Sequence, residues 1–127
     1  MNNTKVINAL EDMIYQIEHL DGAVFYSDMA DGEPWCGAHY YNNADDIRDY
    51  LHYAKTKDNS DFPGLISISY ISADDFKIDE IKAIHDILRL YGEYIKRDEI
   101  IGMVVLQYDE GYTFYMAHVK TERNAKE

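Results

Sequence analysis

The chain predicts an α+β fold: a largely antiparallel sheet of about five strands with three helices packed on one face of it, in the order α-β-β-α-β-α-β-β. Three observations lead there. Apolar residues recur at three-and-four spacing in three segments, short apolar or alternating runs fill five others, and two pairs of those runs are joined by tight turns, Asp31-Gly32 and Asp109-Glu110-Gly111. Tight turns make hairpins, and hairpins make antiparallel sheets.

The first helix is read over Thr4 to Leu20, where Val6, Leu10, Met13, Ile14, Ile17 and Leu20 share one face. Glu11, Asp12, Glu18 and His19 fall on the other face, and Asp21-Gly22 ends the helix. Ala23 to Met29 and Trp35 to Tyr41 form the first hairpin. Asn43 caps a second helix with Asp45 and Asp46 in its first turn, where the partial positive charge of the helix start favours acids. Ile47, Tyr50, Leu51 and Ala54 are its apolar stripe, and Asp45 and Asp49 face outward with Arg48 and His52. A loop closing on Pro63-Gly64 leads into a strand over Leu65 to Ile71. A third helix, starting near Ser72 or Asp79, carries Ile81, Ile84, Ile87, Leu88, Tyr91 and Ile95 and ends near Lys96-Arg97, with Gly92 loosening its last turn. Ile100 to Tyr108 is the most apolar strand and an interior one; Tyr112 to Val119 is the last. Residues 1 to 120 read as a single domain and 121 to 127 as a fraying tail.

Charge is distributed unevenly. The formal net charge is −12, and between Val6 and Ala54 ten carboxylates oppose a single cation, Arg48. A field of that sign repels nucleic acid and anionic membrane and steers the molecule toward basic surfaces. Direct nucleic-acid binding would need basic residues in a stripe, and the twelve that exist form none. No apolar run approaches the roughly 20 residues of a membrane helix. A single cysteine, Cys36, and the polar start MNNTK point to a reducing cytoplasm.

No catalytic or metal-binding motif stands out. Cys36 and His39 are three apart, which on a strand places them on opposite faces. The five histidines show neither His-x-His nor the four-apart spacing of two ligands on one helix face, so no metal and no cofactor is expected. His85 and Asp86 read as polar residues facing solvent on the third helix, and the glycines show no phosphate-cradling pattern.

The expected function is therefore binding. A small acidic protein of this type blocks a basic, nucleic-acid-handling protein by presenting carboxylates where that partner would meet phosphates, as phage-encoded anti-defence or anti-CRISPR inhibitors and nuclease immunity proteins do; this is an analogy of size and charge. Glu11, Glu18, Asp28, Asp31, Glu33, Asp45 and Asp49 are the expected contact set, with Trp35 as the aromatic anchor. Twelve tyrosines also suit a small-molecule sensor with a Tyr-lined pocket, and a small enzyme using His39, His85 or His118 is a third reading. Self-association is compatible with all three.

Overall fold

A computed structural model describes residues 3–125. The order of elements is α1 (Thr4–His19), β1 (Val24–Ala30), β2 (Glu33–Tyr41), α2 (Ala44–Thr56), β3 (Leu65–Ser72), α3 (Ile78–Tyr91), β4 (Ile100–Tyr108), β5 (Tyr112–Val119) and a four-residue turn of helix, α4 (Glu122–Ala125). The strands form one five-stranded sheet in the order β2-β1-β5-β4-β3, and every neighbouring pair is antiparallel. The fold is α+β, as the sequence predicts.

The helices do not share one face. In β4, Val104 and Leu106 enter a core with α1 and α2, whereas Met103 and Val105 enter a second core with Ala83, Ile84 and Ile87 of α3. β5 divides the same way, Phe114 and Met116 against Tyr115 and Ala117. Strand side chains alternate between faces, so an unbroken apolar run needs cover on both. The apolar run of β4 already carried that information, and the one-face arrangement expected from the two hairpins is corrected by it.

Local chemistry explains the boundaries. Asn43 accepts a hydrogen bond from the Asp45 amide at 2.9 Å and caps α2. The buried Glu80 carboxylate accepts from the Lys77 amide at 2.7 Å at the start of α3. That helix ends at Tyr91, before the expected Lys96-Arg97, and Ile95 continues into the core from the following loop. Asp86 is buried and not a surface residue: Ser27 Oγ donates to it at 3.1 Å and Arg89 at 2.8 Å. His85 beside it is exposed.

The C-terminal segment brings a second correction. Asp12, expected on the polar face of α1, is buried. Thr121 Oγ1 donates to its Oδ1 at 2.8 Å and Asn124 Nδ2 to its Oδ2 at 2.7 Å, while His118 Nε2 lies 2.9 Å from Oδ2. Residues 121–125 are thereby held against α1, where a fraying tail was expected; 126 and 127 lie outside the described residues. Burial works to raise the Asp12 pKa but is outweighed by the bonds from His118 and Thr121, which hold it below the usual carboxylate value.

Candidate binding surface

The β1–β2 hairpin is irregular where its chemistry is richest. Asp28 pairs with Gly37 and Met29 with Pro34, which leaves Trp35 and Cys36 on β2 bulged out without partners on β1. β2 is an edge strand and pairs on one side only, with β1. Gly37 has φ +92°, a conformation an L side chain resists, and a Cβ there would meet nothing within 4 Å. Trp35 is 63 % exposed, and Cys36 is exposed beside it.

Beneath this bulge lies Asp28, only 7 % exposed. Its Oδ1 is fully buried with no hydrogen-bond partner among the described residues. Burial pushes the carboxyl above its ordinary pKa, Asp86 adds to the rise, and His39 and Cys36 oppose it. An unpaired buried carboxylate oxygen costs free energy, which the neighbouring His39 and Cys36 offset only in part.

The surroundings are aromatic. By alternation Asp28 shares a sheet face with Tyr26, and that face also carries Tyr112 and Phe114 of β5. Trp35 packs 5.7 Å from Tyr112, Tyr112 stacks at 4.8 Å on Tyr108, and Phe114 sits 5.4 Å from both Tyr108 and Tyr26. Burial raises the pKa of Tyr26, Tyr108 and Tyr112, and the nearby Asp28 charge adds to it. These phenols therefore remain neutral, and the negative charge here belongs to carboxylates.

Those carboxylates come from three connections at one end of the sheet. Ala30 pairs with both Glu33 and Tyr112, which sets the two hairpin turns side by side. The Asp109 amide donates to Gly64 O at 2.8 Å, which joins the β4–β5 turn to the loop before β3. Asp31, Glu33, Asp61, Asp109 and Glu110 are all exposed there. Lys82, donating to Glu33 at 2.7 Å and to Gly32 O at 3.1 Å, is the cation that reaches this rim from α3.

The residues expected to form one negative surface are thus divided. Asp31, Glu33 and Trp35 stand together at this end with Asp28 below them. Asp28 itself is withdrawn from the surface. Glu18 and Asp45 share Arg48 near the opposite end of β1, a seven-residue strand about 20 Å long, and Glu11 and Asp49 are exposed on α1 and α2. Asp61, Asp109 and Glu110 escape a linear reading because only strand pairing brings them beside the first hairpin.

No known protein family, curated protein or solved structure matches this chain. Among the described residues no group of three or more His, Cys, Asp or Glu is placed to hold a metal ion, and no helix is long and apolar enough to cross a membrane.

A cleft of about 520 Å³ opens at the other end of the sheet between the α1–β1 turn, β2 and the end of α3. Phe25, Tyr40, Tyr91 and Tyr94 line it with Gln16, Asp21 and Asn42.

Proposed function

We propose that this protein binds and blocks a basic, nucleic-acid-handling protein through the acidic, aromatic end of its sheet, with a cationic side chain of the partner seated against Asp28. The observation that carries this reading is the buried, unpaired Asp28 oxygen beneath an exposed bulge. A lysine or arginine entering there would supply the missing donor, and Trp35 and Tyr112 offer ring faces that attract a cation. The rim acids Asp31, Glu33, Asp61, Asp109 and Glu110 would steer association, while Trp35 gives the contact its apolar area. Interface cores are generally depleted in Asp and Glu, which fits a division of labour between one buried acceptor and an outer steering ring. An exposed, free Cys36 fits a reducing cytoplasm as the working compartment.

The test is capture of partners from host lysate on the immobilised protein at low and high salt, repeated with variants. Wild type should retain one basic protein at low salt and release it at high salt, because exposed charges are screened over roughly 10 Å at 0.1 M. Trp35→Ala and Asp28→Asn should each abolish that capture, and Asp49→Lys should leave it. Equal capture by Trp35→Ala and wild type would reject the surface.

The Tyr-lined cleft supports a second reading, a small-molecule sensor, since its volume lies within the range of ligand sites. Under that reading Tyr40→Ala and Tyr91→Ala would remove the activity that Asp28→Asn leaves intact.

A further inference from the structure

Far from the acidic rim, the start of α1, the end of β3 and the C-terminal turn enclose an open cleft of about 470 Å³. Two cations line it, Lys5 and Arg123, in a protein whose net charge is −12. Tyr70, His118, Asp12 and Asn124 line it too. Tyr70 Oη lies 2.7 Å from His118 Nδ1, and His118 Nε2 lies 2.9 Å from Asp12 Oδ2. The ring of Tyr70 covers Gly102, where any Cβ would collide with the Tyr70 hydroxyl, so the glycine makes room for the phenol beside His118.

The direction of each bond in this relay follows from the donors present. An ionised Asp12 only accepts, so His118 Nε2 must donate to it. In a neutral imidazole Nδ1 then accepts, and the Tyr70 proton points inward to His118. When His118 gains a second proton, Nδ1 donates to Tyr70 Oη, and the Tyr70 O–H is released to point into the cleft. The proton on His118 thus decides whether the cleft contains an oriented hydroxyl donor. The charged and titratable groups around His118 are Asp12 and Lys5 from α1, Tyr70 from β3 and Arg123 from α4.

We propose that this cleft binds a small doubly charged oxyanion, a sulfate or phosphate group free or on a small molecule, and that binding is coupled to the uptake of one proton by His118. Lys5 and Arg123 supply charge, Tyr70 supplies the hydroxyl, and Asp12 holds the imidazolium that forms. Burial and the Asp12 charge push the Tyr70 pKa up to about 12, so the phenol keeps its proton as a donor. This site is independent of the partner surface and can fail or succeed without it.

The experiment is a titration of the full-length protein with sulfate, whose charge is constant near neutrality, against chloride at matched ionic strength. The His118 ring resonances are followed by NMR at about pH 6 and about pH 8. The expected result is a saturable shift at His118, with affinity falling as pH rises, by up to roughly tenfold per pH unit, the slope that uptake of one proton on binding imposes. Acetate, with one charge and a planar group, should bind more weakly than sulfate. Lys5→Gln combined with Arg123→Gln, two exposed positions outside the hydrogen-bonded core of the relay, should abolish the shift. Tyr70→Phe should weaken binding roughly tenfold, the worth of a hydrogen bond to a charged group. No saturable shift, an affinity equal at both pH values, or binding unchanged in the double variant would each overturn the proposal.

Discussion

Two buried aspartates carry opposite consequences for stability. Asp28 has a raised pKa, so its folded state takes up a proton more readily than its unfolded state, and stability is lost as pH rises through that elevated pKa. Asp28→Asn should therefore raise stability at neutral pH by about 1–3 kcal/mol, because it removes the buried charge while keeping the shape of the group, and the gain should shrink as pH falls to the ordinary carboxylate range. Urea unfolding at neutral and acid pH measures it. A destabilised variant at neutral pH would mean that the carboxylate is paired after all. Stability gained together with partner binding lost would mark Asp28 as a functional residue. Asp12 has a lowered pKa, so its contribution is present above the unfolded carboxylate pKa and disappears as pH falls through the lower folded value. Asp12→Asn should cost about 3 kcal/mol at neutral pH, because His118, Thr121 and Asn124 all donate to this carboxylate. Neither burial was legible in the sequence. Asp12 falls on the polar side of a helical period, and Asp28 sits in a strand whose alternation names a face without saying what covers it.

Among the elements, the bulged edge strand β2 and the C-terminal turn shape the two proposed sites. The bulge needs Gly37 at φ +92°, so Gly37→Ala should cost about 1 kcal/mol and shift Trp35, although a Cβ would meet no atom there. Tryptophan fluorescence alongside an unfolding curve reads both effects. The C-terminal turn predicts that ending the chain at Lys120 lowers stability by about 2 kcal/mol, since Asp12 loses two of its donors. Truncation combined with Asp12→Asn should cost less than the sum of the two, because they break one network. Helix and strand positions were legible from periodicity and turn residues, since those signals are local. The bulge was not: Trp35 and Cys36 read as the regular start of a strand over Trp35 to Tyr41, and only the pairing of Asp28 with Gly37 and of Met29 with Pro34 reveals the two extra residues. The tail was missed for the same reason. Its anchors, Thr121 and Asn124, reach a residue more than a hundred positions earlier.

For the whole molecule, the sequence places the excess of acid in its first half, while the fold assembles the acidic rim from both halves. Asp31 and Glu33 arrive from the first hairpin, Asp109 and Glu110 from the last, and Asp61 from the loop between them. Glu18 and Asp45, near in sequence to the rim acids, lie at the far end and share Arg48. Composition thus conveys the sign of the field, and topology decides where it is strongest. Steering by this rim predicts that association with the partner slows steeply with salt, and that Asp31→Lys with Glu110→Lys slows it more than Glu11→Lys with Asp49→Lys. Stopped-flow mixing at several ionic strengths separates the two pairs.

The most direct measurement of the proposed surface is amide hydrogen exchange of the protein with and without the captured basic partner. Binding through the acidic end of the sheet predicts protection concentrated in residues 28–37 and 108–113, with the exposed faces of α1 and α2 unchanged. Protection confined to α1 and α2, or to the Tyr-lined cleft at Tyr40 and Tyr91, would contradict it.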